Sequence, residues 1–194
     1  MTDKPQLLVV GGPNGSGKTT VAMQYADAEG MGYIGADAIA ASLNPDDPTA
    51  ARIEAGKHFI RSFNSAIANR LSCVVESTLS GRSFRNHIIE ACKCGYEVTI
   101  VFVFVDSVDA CVARVAERVR KGGHDVPEAD IRRRYHRSIR NFWTLYRELA
   151  DSWVVLYNGG SGIQDVSVGS GPELTVRDAT LHATFLTRVE SSNE

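Results

Sequence analysis

At 194 residues the chain has the length of one ordinary domain, with room for a substantial core. Its hydrophobic fraction of 43% and charged fraction of 23% are those of a soluble globular protein. A formal net charge of -2 gives no general pull toward nucleic acid or anionic membrane. The opening run Met1-Thr2-Asp3-Lys4-Pro5 lacks the basic start, apolar middle and small-residue cleavage site of a signal peptide. The longest apolar run, Val98 to Val105, is too short to span a bilayer. The expectation is a cytoplasmic protein. The cysteines, Cys73, Cys92, Cys94 and Cys111, fit no zinc spacing and are too few for a disulfide scaffold. They read as reduced, semi-buried residues.

In chain order, Leu7-Leu8-Val9-Val10 reads as a short buried strand, followed by a Gly-rich loop and a helix of roughly ten residues from Lys18. Gly32-Tyr33-Ile34 is a second strand ending near Asp37, and Pro45-Asp46-Asp47-Pro48 breaks the chain. Ala50 to Leu71 has helical periodicity, with Ile53, Phe59, Ile60, Phe63 and Ile67 mainly on one face. Cys73-Val74-Val75-Glu76 is a strand with a carboxylate at its end, and Phe84 to Cys94 is an amphipathic helix stopped by Gly95. Val98 to Val105, β-branched and aromatic throughout, is a strand covered on both faces. A helix over Asp109–Lys121 ends at Gly122-Gly123, and another runs from Pro127 to about Leu149. Trp153 to Asn158 reads as the last core strand. Alternating strands and helices predict an α/β fold, P-loop NTPase/kinase-like, with a mostly parallel sheet and helices on both faces. Residues 1–158 make this domain. Residues 159–194 are an extension, with Gly159 to Gly171 read as loop or linker and a short strand and helix expected over Val176–Val189.

The loop Gly12-Pro13-Asn14-Gly15-Ser16-Gly17-Lys18-Thr19-Thr20 follows a strand and opens a helix, the setting a phosphate-binding loop requires. Its glycines let backbone N–H groups curl toward phosphate oxygens, and the helix start adds partial positive charge. Lys18 brings a full charge to the β- and γ-phosphates, and the Thr19 hydroxyl is the expected Mg²⁺ ligand. The implied ligand is ATP or a close relative. No Asn/Thr-Lys-x-Asp motif that would read guanine is present, and the chain is short for an AAA-type motor. The length suits a small phosphotransferase.

Ligands of parallel sheets sit outside the carboxyl ends of the strands, and Gly17, Asp37, Glu76 and Asp106 all fall at or just past strand ends. Asp37, about twenty residues past the loop, is placed to deprotonate an acceptor hydroxyl, or to cap the helix that starts at Ala38. Glu76 could hold Mg²⁺ through water or bind a substrate hydroxyl. From Arg114 to Arg140 there are eight arginines and one lysine against Glu117, Asp125, Glu128 and Asp130. Arg114 and Arg118 share a helix face, and Gly122-Gly123 offers a hinge, so these two could clamp a transferring phosphoryl group. Arg132, Arg133, Arg134 and Arg137 cannot all face one ligand, and little aromatic interleaving accompanies the charge, which speaks against nucleic acid.

These motifs taken in order resemble the small single-domain branch of the zeta toxin family: Gly11 to Thr20, Ala36-Asp37, Glu76 to Arg82, Arg114 to Val119, Gly122 to Pro127, Ile131 to Tyr135 and Tyr157-Asn158. The resemblance covers roughly residues 6–160. It implies a P-loop kinase fold and ATP-dependent phosphorylation of a sugar hydroxyl. In the family the acceptor is UDP-N-acetylglucosamine, and an antitoxin protein restrains the kinase. Carried over, Lys18 binds phosphates, Thr19 the metal, Asp37 is the base, Glu76 and Thr78 contact the acceptor, and Arg114 or Arg118 stabilises the phosphate. The family's arginine beside the acceptor strand has its nearest counterpart in Arg82, two positions away. The leading expectation is therefore a Mg-ATP-dependent small-molecule kinase. The alternatives are an ATP-dependent switch or binding module acting on a protein or RNA partner, and a kinase of another metabolite.

Overall fold

The computed structural model describes residues 4–171 and 173–192. The reading of the first residues as lacking a signal peptide rests partly on residues 1–3, which lie outside the described residues. Strands β1 (Gln6–Gly11), β2 (Gly32–Gly35), β3 (Cys73–Ser77), β4 (Glu97–Phe104), β5 (Ser152–Asn158), β6 (Ile163–Ser170) and β7 (Glu173–Val176) form one sheet in the order β2-β3-β1-β4-β5-β6-β7. The first five pair in parallel, and the last two add antiparallel. Helix α1 (Lys18–Glu29) packs Val21, Ala22 and Ala26 against Leu8, Val10, Val74, Val101 and Val103 on one face. The other face carries the larger core, under α3 (Arg52–Ala68), α4 (Phe84–Lys93), α5 (Val108–Arg120), α6 (Glu128–Asn141) and α7 (Ala179–Glu190). β1 and β4 are central and apolar on both faces, as their uninterrupted Val, Ile and Phe content requires. The fold is the expected one, a P-loop kinase fold with a mostly parallel sheet.

Four expectations need correction. Asp37 does not cap a helix: α2 (Ala36–Leu43) has Gly35 at its N-cap, and Asp37 lies inside the first turn. Ile53 is 76% exposed, while Phe59, Phe63 and Ile67 are buried and Ile60 is half-buried. The Ile53–Ile60–Ile67 line runs along the border of the apolar stripe and leaves the core toward the helix start. The helix from Pro127 does not run uniformly to Leu149. It is α-helical to Asn141, then a π-helix over Phe142–Tyr146, then a 3₁₀ turn over Arg147–Leu149. Residues 159–171 are no linker. β6 occupies most of them, and Val166, Phe185 and Val189 enter the same core as β4. The glycines that suggested a linker have packing duties. Gly160 and Gly162 turn the chain at positive φ, and Gly169 lies against the Trp153 indole. Val176 closes β7, and the helix expected to follow it is α7.

All four cysteines are free, with Cys73 and Cys111 buried, Cys94 half-buried and Cys92 exposed. Burial pushes the Cys73 thiol up to about 11 and the Cys111 thiol up to about 12, so both stay protonated at neutral pH. No helix among the described residues is long and apolar enough to cross a membrane.

A methyl group at Gly169 would fall within the Trp153 ring, a rigid neighbour on the paired strand. Gly169→Ala is expected to destabilise the protein by roughly 1–3 kcal/mol through overpacking, read as a lowered urea midpoint at unchanged slope. An unchanged midpoint would mean that β6 does not seat on β5 in this way.

Candidate active site

The carboxyl ends of β1, β2 and β3 open into a cleft of about 460 Å³ lined by Asn14, Lys18, Arg134, Ser77, Thr78 and Ser80 together with residues of α3 and α4. Asp37 and Glu76 line it as well. The loop from Gly12 to Thr19 turns at three glycines with positive φ, Gly12 (148°), Gly15 (79°) and Gly17 (92°). At each, a Cβ would press on a close neighbour: the Val103 carbonyl, the Cys111 backbone and the Asn158 amide respectively. Pro13 helps close the turn, its carbonyl accepting from the Ser16 N–H at 3.2 Å. Asn158, at the end of β5, donates to the Ser16 carbonyl at 3.0 Å, so the loop's shape is enforced from the sheet. Ser16 Oγ is buried with no partner among the described residues.

Lys18 is 6% exposed. Its Nζ lies 3.4 Å from the Pro13 carbonyl and 3.6 Å from Glu76 Oε1. Thr19 Oγ1 donates to that same Oε1 at 3.0 Å, and Tyr33 OH donates to Glu76 Oε2 at 2.5 Å. Burial first, and the Glu76 charge second, push the Tyr33 hydroxyl far up, so it remains a donor at every working pH. Glu76 is thus hydrogen-bonded to Thr19 and also lines the cleft. Thr20 is exposed next to it. Asp37 is exposed on the cleft rim, in the first turn of α2.

The arginines sort by partner. Arg132 pairs with Asp109 at 2.9 Å and Glu128 at 2.8 Å, and Arg133 with Asp130 at 2.6 Å; all stand on the outer surface. Arg134 leans inward. It donates to Asp130 at 3.2 Å and to the Asn14 side chain at 3.5 Å, in the wall of the cleft. Arg114 and Arg118, the sequence-stated candidates, do not line the cleft. Arg114 donates to the Asn158 carbonyl at 2.9 Å, and Arg118 to the His124 carbonyl at 2.6 Å. Gly123 packs on the Arg118 side chain, so the Gly-Gly segment closes the end of α5. Arg82 lies outside the cleft, beside Arg85 and Thr144. Asp106 at the end of β4 does not line it either. Arg134, Arg52 and His87 line the cleft without having been singled out from the sequence: Arg134 was named only within its arginine cluster and Arg52 only within the Ala50–Leu71 helix. A run of three arginines gives no periodic cue to which one faces inward. Tyr33 was visible only as a strand residue.

The loop that follows β3 has a fixed shape. Thr78 and Ser80 share a hydroxyl hydrogen bond at 2.9 Å, and between them buried Leu79 adopts φ 53°. A left-handed leucine costs about 1–2 kcal/mol, so neighbours must hold it. Asn141, 3% exposed, donates to both the Leu79 and Ser80 carbonyls at 3.0 Å. Ser138 donates to the Thr78 carbonyl, and Tyr146 to the Gly81 carbonyl at 2.6 Å. Phe59, Ile60, Phe84 and His87 give the cleft an apolar, partly aromatic wall, and Arg52 lines it too.

The family described as an AAA domain (AAA_33) matches residues 7–138. An "uncharacterized protein" of Haemophilus influenzae is 36% identical over 124 residues, 64% of this chain and 88% of that one. The crystal structure of AvrRxo1-ORF1:-ORF2 with ATP is similar at a TM-score of 0.76 and 17% identity, over 94% of this chain and 63% of that one. The chain thus spans less than two thirds of that structure's length. The PezAT chromosomal toxin-antitoxin system of Streptococcus pneumoniae is similar at a TM-score of 0.62 and 14% identity, over 100% of this chain and 89% of that one. A gluconokinase from Sinorhizobium meliloti is similar at a TM-score of 0.51 and 18% identity, over 96% and 93%. At these identities the structural likeness shows the fold.

Asn141→Ala removes both donors that hold residues 79 and 80. It is expected to cost about 1–3 kcal/mol and to speed amide hydrogen exchange at Leu79 and Ser80 above that of the surrounding strands. Exchange at those amides unchanged from wild type would show that the loop holds its shape without Asn141.

Proposed function

We propose that this chain, which belongs to the AAA_33 family of AAA domains, is a kinase that transfers the γ-phosphoryl group of ATP to a hydroxyl of a small molecule. The observation that carries the reading is the Lys18–Thr19–Glu76 cluster. A buried ammonium beside a glycine-turned loop is a phosphate site, and a threonine hydroxyl hydrogen-bonded to a carboxylate is a pair of hard oxygen donors. These residues fit Mg²⁺. Such an ion is held by one or two side chains together with substrate phosphates. Thr19 would ligate it, and Glu76 would hold one of its waters. When bound, the ion would neutralise charge on the β- and γ-phosphates.

The chain's own residues divide the work. The glycine-turned loop and Lys18 bind and orient the phosphates. Arg134, reaching the loop from α6, is placed to meet charge developing on the transferred group. Asp37, which lines the same cleft, takes the proton of the acceptor hydroxyl as its oxygen bonds to phosphorus and the bond to the ADP oxygen breaks. Arg114 acts one residue removed, through Asn158 and the Ser16 carbonyl, which supports a role in shaping the loop.

The acceptor wall joins hydroxyls (Thr78, Ser80) to aromatic and apolar surface, which suits a polyhydroxylated compound with a flat or apolar portion. UDP-N-acetylglucosamine, the acceptor implied by the zeta toxin resemblance, is the first compound to try. Likeness to a toxin-antitoxin structure supports asking whether an antitoxin protein partners this chain.

The test is an untargeted metabolite screen, with UDP-N-acetylglucosamine as a defined member, for compounds that gain one phosphate in the presence of ATP and Mg²⁺. Asp37→Ala is expected to lower the transfer rate by 10²–10⁴-fold, on the order expected for a lost general base, and Arg134→Ala by about 10²–10³-fold. Lys18→Ala is expected to lose nucleotide binding as well. Wild type that phosphorylates no compound, or Asp37→Ala that matches it, would refute the reading.

A further inference from the structure

The Tyr33 hydroxyl holds a position that the register of the sheet makes available. β2 and β3 run parallel with Tyr33 opposite Val74 and Gly35 opposite Glu76. Side chains two apart share a face, so Tyr33 and Gly35 point the same way, as do Val74 and Glu76. Gly35 leaves the place beside Glu76 empty, and the Tyr33 ring fills it. A Cβ at Gly35 would collide with the Tyr33 hydroxyl and ring. The ring therefore lies over Gly35 and reaches diagonally to Glu76 Oε2.

Both oxygens of the Glu76 carboxylate are assigned. Tyr33 occupies Oε2, which leaves Oε1 to face Thr19 Oγ1 at 3.0 Å. No other hydrogen bond to Oε2 occurs among the described residues. Tyr33 lies outside the cleft lining, so its contact with the chemistry runs through Glu76.

We infer that Tyr33 is a positioning residue for the divalent cation: its hydroxyl fixes the rotation of the Glu76 carboxylate so that Oε1 meets the metal's water beside Thr19, and Gly35 is the residue that admits the ring. The inference rests on the nucleotide–metal reading above. It assigns Tyr33 no contact with nucleotide. Its loss should weaken the metal's contribution to binding and leave metal-free nucleotide binding intact.

Calorimetric titration with the non-hydrolysable analogue AMP-PNP, with Mn²⁺ as the cation and again without any divalent cation, reads this without activity. In wild type Mn²⁺ should tighten AMP-PNP binding. In Tyr33→Phe that tightening factor should fall about tenfold, on the scale of lost outer-shell partners of metal ligands, with metal-free affinity within twofold of wild type. Gly35→Ala retains the tyrosine but displaces its ring and should lose the same factor; thermal unfolding checks that each variant is folded. A tightening factor within twofold of wild type in both variants would overturn the inference and leave the kinase reading standing. Equal weakening with and without Mn²⁺ would also overturn it, because it would mean a general packing role. Wild type that binds no AMP-PNP under either condition would instead sink the nucleotide reading, and this inference with it.

Discussion

The Glu76 carboxylate receives Thr19 on one oxygen and Tyr33 on the other, 3.6 Å from the Lys18 ammonium, with both charged side chains only 7% exposed. Burying such a pair carries a desolvation penalty that its mutual attraction repays only with good geometry and further hydrogen bonds. Tyr33 and Thr19 supply those bonds. The arrangement joins three elements at one point: the end of β3, the start of α1 and the β2 edge of the sheet. Besides Glu76, Lys18 has the Pro13 carbonyl at 3.4 Å as a hydrogen-bond acceptor, on the glycine-turned loop itself.

The two halves of the cleft are connected by α6. Arg134, Ser138 and Asn141 follow one another at helical spacing, the first on the phosphate loop and the other two on the carbonyls of residues 78–80. The π-turn that follows brings Tyr146 to Gly81. One helix thus fixes the separation between the Arg134 guanidinium and the loop at residues 78–80, and in the proposed kinase that separation would set the distance between phosphoryl donor and acceptor.

Much of this was legible in the residues. The phosphate loop has a spacing that serves one chemistry, and the central strands β1 and β4 show as apolar runs because both of their faces are covered. What stayed hidden has physical reasons. β6 was masked by glycines that serve as turns and as room for Trp153, while the same letters in a flexible segment would look alike. The inward arginine could not be chosen from Arg132, Arg133 and Arg134, because the choice depends on Asp109, Glu128 and Asn14, far away in sequence or on another turn. Arg114 and Arg118 share a face as expected, but that face meets Asn158 and His124. Tyr33 required the β2–β3 register, which no local pattern reports.

Lys18 is the residue proposed to receive a nucleotide's phosphates. Equilibrium titration of the wild type and of Lys18→Ala with Mg·ATP tests it most directly. Saturable binding by wild type that weakens at least tenfold in the variant, about 1.4 kcal/mol or more, is expected, with circular dichroism checking that the variant is folded at the titration temperature, since loss of one partner of the buried Lys18–Glu76 pair is expected to lower its unfolding temperature. Equal binding by the two proteins, or none by wild type, would contradict it.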